Sequence, residues 1–218
     1  MTTGFVAEPG DERLTSAILS DALDAVGRRH QVLSPAIRPV VPGMRVFGRA
    51  ATVQFAPTTL DSENPYDEAI DFIDELQAGS VAVVATGNSS RSAFWGELFS
   101  AAAIGRGASG VITDGCLRDT PKIADLGFPA FTRGNRPIDY RARMRVVAQA
   151  EPVILDGVTV QPGDLLLADD DGIVVIPQGA EHEVLERARA RAVAERRVLH
   201  ELLAGDGLRA VWRRHGIL

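Results

Sequence analysis

WGELFSAAAIGRGASGVITDGCLRDTPK, running from Trp95 to Lys122, reads as loop, helix, strand and loop, and this order decides the fold. Gly96 opens a helix in which Leu98, Phe99, Ala102, Ala103 and Ile104 recur at helical spacing. Glu97 sits in its first turn, where the helix dipole favours an acid, and Gly105-Arg106-Gly107 stops it. Gly110-Val111-Ile112-Thr113 is a short buried strand, and Asp114-Gly115 turns the chain to deliver Cys116, Leu117, Arg118 and Asp119 at its end. Two features therefore meet: a helix start with free amides beside an acid, and a loop with an adjacent Arg-Asp pair. Free amides at a helix start take carboxylates or phosphates. An arginine adds a planar grip on oxygen anions, and a loop aspartate suits a hard divalent cation. Together they predict a site for a small oxyacid chelated to a metal. Each feature alone also has an ordinary structural use; the combination within one unit is what points to a ligand.

Upstream, residues 1–10 read as a loose tail. Asp11 to Arg28 reads as one or two helices with Leu14, Ile18, Leu19, Leu23 and Val26 as the apolar stripe, Gly27 as the stop, and Asp21 and Asp24 on the wet face. Arg45 to Phe55 is a strand with Gly48 as a bulge or bend. Tyr66 to Gln77 is an amphipathic helix whose core side is Ile70, Phe72, Ile73 and Leu76. Ser80 to Ala85 is a buried strand, and Thr86-Gly87-Asn88-Ser89-Ser90 follows at its C-terminal end, where open sheets place ligands. That loop lacks the GxxxxGK[ST] pattern of a phosphate-binding loop, and is expected to support the edge of the cavity.

Downstream, Pro121 to Leu126 is a helical turn and Pro129 to Phe131 a strand. Arg136, Arg141, Arg143 and Arg145 form a basic run, read as solvated or as a subunit contact. Arg145–Ala148, Val153–Leu155 and Val158–Val160 read as antiparallel strands, with a hairpin turn at Asp156-Gly157. Leu165–Ala168 and Ile173–Pro177 flank Asp169-Asp170-Asp171-Gly172. The acidic run lacks the downstream glutamate of a calcium loop and reads as a tight turn. Glu181 to Leu203 is a long helix with Val184, Leu185, Ala188, Ala192, Val193 and Leu199 as its stripe and mixed i,i+4 charge pairs elsewhere. A final short helix carries Trp212.

Composition narrows the function classes. A chain of 218 residues with 45% hydrophobic and 24% charged side chains is long enough for a sizeable core, and is read as one domain, with residues 181–218 as C-terminal helices. The net charge of −6 argues against nucleic acid as a general partner. Cys116 is the only cysteine, so no internal disulfide forms, which fits a cytoplasmic protein. No long apolar run or N-terminal apolar segment appears, so neither a membrane span nor an export signal is expected. Short strands, hairpins and crossing helices predict an α/β chain with a mixed sheet.

The signature stretch resembles that of the RraA-like family, which includes the 4-hydroxy-4-methyl-2-oxoglutarate aldolases. In that family a glycine heading a helix precedes an Arg-Asp pair, as Gly96 precedes Arg118-Asp119 here. SDALDAVGRR from Ser20, PGMRVFGRAATV from Pro42, GDLLLADDDGIVVIP from Gly163 and the ending RRHGIL extend the likeness over nearly the whole chain. The resemblance implies a swivelling β/β/α architecture assembled as a homotrimer or a dimer of trimers. It implies that Asp119 binds Mg²⁺ or Mn²⁺ and that Glu97 holds a metal-bound water. Backbone amides near Gly96, Glu97, Leu98 and Phe99 would grip a pyruvate-like carboxylate, and Arg118 would polarise oxygens at the cleaved bond. An acid from the C-terminal helix of a neighbouring subunit would complete the site: Glu195, or Glu201 as runner-up. The helix here ends AGDG where the aldolases more often carry an AGE-like step, which leaves that register open, and a surface salt bridge to Arg191 is the competing role for Glu195.

Cleaving a carbon–carbon bond of a 2-oxo-acid requires stabilising an enolate. Lys122, the only lysine, could in principle form a Schiff base, but nothing apolar around Thr120-Pro121 would lower its pKa. A divalent metal acting as Lewis acid is the first expectation, and no His/Cys cluster suggests zinc. The expected function is a class II aldolase or lyase cleaving a 4-hydroxy-2-oxo-acid to pyruvate, with oxaloacetate decarboxylase activity. The alternatives are a non-catalytic protein-binding regulator of the ribonuclease E inhibitor type and a lyase for a bulkier oxo-acid.

Overall fold

The computed structural model describes residues 11–217; the expected loose tail at 1–10 lies outside the described residues. In chain order the strands are β1 (Arg38–Pro39), β2 (Val46–Pro57), β3 (Ser80–Ala85), β4 (Ala93–Trp95), β5 (Gly110–Thr113), β6 (Cys116–Leu117), β7 (Ala130–Thr132), β8 (Gly134–Asn135), β9 (Met144–Gln149), β10 (Val153–Leu155), β11 (Val158–Val160), β12 (Leu165–Ala168) and β13 (Ile173–Ile176). The helices are α1 (Ser16–Ala25), α2 (Asp67–Asp74), α3 (Glu97–Gly105), α4 (Thr120–Asp125), α5 (Glu181–Leu203) and α6 (Leu208–His215).

The main sheet is mixed, in the order β1-β7-β5-β3-β2-β12-β13. Its centre, β7-β5-β3-β2, is parallel, while β1, β12 and β13 join antiparallel. The long strand β2 serves two partners along one edge, pairing Val46–Arg49 with β12 and Val53–Pro57 with β9. The register irregularity in the β2–β9 pairing lies between Gln54 and Phe55, not at Gly48, whose pairing with β12 is regular. Gly48 is required for another reason: a Cβ there would lie 2.3 Å from the Gly79 carbonyl oxygen.

Both faces of the sheet are covered, so every residue of β3 is buried. Ala82 and Val84 point into one core with Phe72, Ile73, Leu76, Ala103 and Ile123. Val81, Val83 and Ala85 point into another with Val153, Leu155, Val158 and Val160 of the β10–β11 hairpin. A third core joins α1 and α5 over β12 and β13. Each such Val, Leu or Ile contributes about 1.5–3 kcal/mol on burial. The Asp169–Gly172 segment is the expected tight turn, and the carboxylates of Asp169 and Asp170 are engaged within the fold. Asp169 accepts from the Ser16 amide at 2.8 Å and from its hydroxyl at 2.6 Å, fixing the start of α1, while Asp170 accepts from the Gly43 amide.

Five expected apolar positions turn outward: Ile70, Leu98, Ile104, Val193 and Leu199 are exposed, while Val198 takes the buried place on α5. On α3 only Ser100 and Ala103 are buried. Helical periodicity located the helices correctly but could not tell a face toward the core from one left open on this chain.

A second sheet organises the functional region. Strands β4, β6 and β8 pair in parallel, Ala93 with Cys116 and Cys116 with Gly134. Such short strands carry no periodicity, and all three were missed in the sequence. Their C-terminal ends lie side by side, and each releases one part of the site: Gly96 with α3, Arg118-Asp119, and the segment from Arg136 to Tyr140.

Candidate active site

A cavity of about 450 Å³ opens at these strand ends, lined by Tyr66, Ile70, Phe94, Trp95, Gly96, Glu97, Leu98, Phe99, Arg118, Asp119, Lys122, Asp139 and Tyr140 among others. The six residues expected there, Gly96, Glu97, Leu98, Phe99, Arg118 and Asp119, are all brought together. The Thr86–Ser90 loop does not line it. That loop is instead pinned by buried Asp114, which accepts from the Thr86 amide at 2.7 Å, the Thr86 hydroxyl at 2.8 Å and the Asn88 amide at 2.8 Å.

Gly96 caps α3 in an extended conformation (φ −155°), with no side-chain cap on the first turn. The amides of that turn are therefore available to a ligand. The glycine is required by proximity: a Cβ would lie 2.9 Å from Asp119 Oδ2 and 3.0 Å from Arg118 Cγ. The start of the helix is locked from behind, since the buried Ser100 hydroxyl accepts from the Trp95 indole at 2.9 Å and donates to the Gly96 carbonyl at 3.0 Å. The Arg118 amide donates to the Trp95 carbonyl at 3.0 Å, which places the arginine beside the helix.

Asp119 adopts a left-handed conformation (φ 55°) that asparagine and aspartate tolerate better than most residues, and it begins α4. Its side chain is 42% exposed and Oδ2 lies 3.7 Å from Arg118 Nε. The Arg118 guanidinium is anchored by Asp139 at 2.8 Å. Asp139 is held in turn by the Tyr66 hydroxyl at 3.2 Å and the Arg141 amide at 2.8 Å. Asp139, Tyr66 and Tyr140 were missed in the sequence; the one available signal was an acid embedded in the basic run that starts at Arg136.

Lys122 Nζ donates to Glu97 Oε2 at 2.8 Å. This hydrogen bond and the Glu97 charge hold the ammonium above the ordinary lysine range, the opposite of what a Schiff-base lysine needs. Burial, then the Asp139 charge, pushes the Tyr66 and Tyr140 phenols up. The groups that could hold a cation are oxygen donors, chiefly the exposed Asp119 carboxylate with Glu97 nearby. Among the described residues no cluster of three or more His, Cys, Asp or Glu could hold a metal. A hard cation keeping most of its waters fits such a sparse oxygen set.

The two C-terminal acids do not line this cavity. Glu195 accepts from Arg191 at 2.7 Å and borders a separate hollow with Arg13, Ile18 and Leu202. Glu201 is engaged by His215 at 3.0 Å and Arg214 at 3.3 Å.

Comparison with known proteins places the chain in a family. Residues 16–175 match the family model described as "RraA-like: Aldolase/RraA". A Halalkalibacterium halodurans protein named "Putative 4-hydroxy-4-methyl-2-oxoglutarate aldolase" is 30% identical over 82% of this chain and 80% of its own length. Protein DlpA of Legionella pneumophila is 31% identical over 88% of this chain, which spans 31% of that protein. A crystal structure of an uncharacterized Pseudomonas syringae protein superposes with a TM-score of 0.83 at 34% identity, covering 93% of this chain and 94% of that one. Streptomyces coelicolor RraAS2, described as an unusual member of the RNase ES inhibitor RraA protein family, has a TM-score of 0.74 at 31% identity over 82% of this chain and 89% of its own.

Proposed function

The chain belongs to the RraA-like family, and from that premise we propose that it is a divalent-metal-dependent lyase that cleaves a 4-hydroxy-2-oxo-acid to pyruvate and also decarboxylates oxaloacetate. The observation that carries this reading is the space left by the missing Gly96 side chain, which Asp119 Oδ2 and the Arg118 stem border. It sets uncapped helix amides, an arginine fork and an open carboxylate around one cavity.

Cleavage breaks the bond between C3 and C4 of the substrate. The C4 hydroxyl loses its proton and becomes a carbonyl, and the electron pair passes into the enolate of pyruvate, which is then protonated at C3. The amides of Glu97, Leu98 and Phe99 grip the substrate carboxylate. Arg118, oriented by Asp139, directs its remaining donors at the oxygens flanking the breaking bond. Phe94 and Trp95 form an apolar wall that excludes water. Asp119, with Glu97 acting through water, would hold Mg²⁺ or Mn²⁺, which supplies a Lewis acid for the 2-oxo group. Glu195 is paired with Arg191 in its own chain, and its place in the site of a neighbouring subunit is what the resemblance to the aldolases implies. Assembly as a trimer or hexamer is what the resemblance to the family implies.

The test is oxaloacetate and 4-hydroxy-4-methyl-2-oxoglutarate consumption with Mg²⁺ against EDTA. Metal-stimulated turnover is expected. The likeness to a protein described as an RNase ES inhibitor family member supports the second reading, a protein-binding regulator; inhibition of a ribonuclease E without turnover of either oxo-acid would establish it instead.

A further inference from the structure

The Tyr140 hydroxyl is buried and has no hydrogen-bond partner among the described residues, although the side chain lines the candidate active-site cavity. Buried donors in native proteins are nearly always paired, and an exception calls for an explanation. Nothing in the fold uses this hydroxyl. The nearest acidic neighbour, Asp139, is already engaged on both oxygens by Arg118, Tyr66 and the Arg141 amide.

The ring, by contrast, is held on three sides. It stacks on Phe94 with centroids 6.5 Å apart and interplanar angle 6°, and meets Phe55 and Tyr66 edge-on at 5.2 Å and 5.5 Å. Tyr140 is 3% exposed. A phenylalanine would satisfy all of this packing and leave no orphaned donor. The ring packing thus fixes where the hydroxyl oxygen sits before a ligand arrives, the preorganisation that a ligand-binding donor needs. Burial, reinforced by Asp139, keeps the phenol protonated, so it can donate throughout the neutral range.

We infer that Tyr140 is a ligand-binding residue of this cavity, whose hydroxyl donates a hydrogen bond to an oxygen of the bound oxo-acid. The inference rests on the lyase reading for the class of ligand, and on the orphaned hydroxyl for the residue.

Tyr140→Phe tests it through binding and melting together. Pyruvate and 2-oxoglutarate, which lack the cleavable hydroxyl-bearing carbon, are titrated calorimetrically in the presence of MgCl₂. Expected is wild-type binding of at least one of them, a loss of roughly tenfold in affinity for it in the variant, and a melting temperature equal to or above that of the wild type. Affinity within about twofold of wild type, or a lowered melting temperature with affinity unchanged, overturns the inference and makes the tyrosine structural. Wild type that binds neither oxo-acid overturns it as well. Wild type that binds but cleaves no 4-hydroxy-2-oxo-acid removes the lyase reading alone and leaves Tyr140 as a binding residue.

Discussion

Asp139 accepts a 2.8 Å hydrogen bond from the Arg118 guanidinium, joining two residues that the chain separates by 21 positions. The second carboxylate oxygen of Asp139 is held by Tyr66 and by the Arg141 amide. The guanidinium is therefore oriented before any ligand arrives, with Nε 3.7 Å from Asp119 Oδ2.

Arg118→Lys keeps the charge and loses the fork. If the fork's donors stabilise charge that develops in the transition state, the turnover number on oxaloacetate should fall on the order of 10²-fold or more, with a much smaller rise in KM. Asp139→Asn should give a smaller loss in the same direction. Steady-state kinetics with thermal melting as control checks both; unchanged turnover with a raised KM would leave Arg118 as a binding residue only.

Gly96→Ala introduces no unfavourable φ, since the residue is extended, but its Cβ would press on Asp119 Oδ2 and the Arg118 stem. Those side chains can shift, so the fold should survive while the site geometry does not. Turnover is expected to fall on the order of 10²-fold with little change in melting temperature. An alanine variant of wild-type activity would show that the close approach has no functional role.

Asp119→Asn retains a residue tolerant of the left-handed conformation and removes the anionic ligand. Its side chain is half-exposed and caps nothing, so melting should move by no more than about 1–2 °C. Turnover should cease to respond to Mg²⁺. A variant as strongly stimulated by Mg²⁺ as the wild type would dismiss Asp119 as the metal ligand.

The alkaline limb of stability follows from the raised Tyr140 phenol. A group whose folded pKa lies above its unfolded value contributes stability that is fully present below the unfolded value and is lost as pH rises toward the folded one. The ordinary tyrosine value is 10.0 and burial raises it here, so stability should decline above about pH 10. Buried Cys116, shifted the same way from 9.0, adds to the decline from a lower pH. Urea titrations across this range should show a shallower loss in Tyr140→Phe than in wild type; parallel curves would contradict the assignment.

The order of elements was readable because its signals are local. Glycine stops, a buried apolar run such as Ser80–Ala85 and helical spacing in Ser16–Ala25 or Glu181–Leu203 act within a few residues. The Arg-Asp pair and the glycine that opens α3 were legible for the same reason, as were the tight turn at Asp169–Gly172 and the hairpin at Asp156-Gly157. The strands β4, β6 and β8 were not, because two or three residues show no period, and what defines them is pairing between positions far apart in the chain.

By itself the sequence determined the helices and the longer strands, the mixed α/β class, and Gly96, Glu97, Arg118 and Asp119 as residues of one site. The tertiary structure alone decided the direction in which Ile70, Leu98, Val193 and Leu199 point, because a helix pattern specifies a stripe but not what covers it. It alone decided that Asp114 pins a loop while Asp139 orients Arg118. A carboxylate acquires its role from the donors that surround it, and here those donors come from strands and loops that only the folded sheet brings side by side.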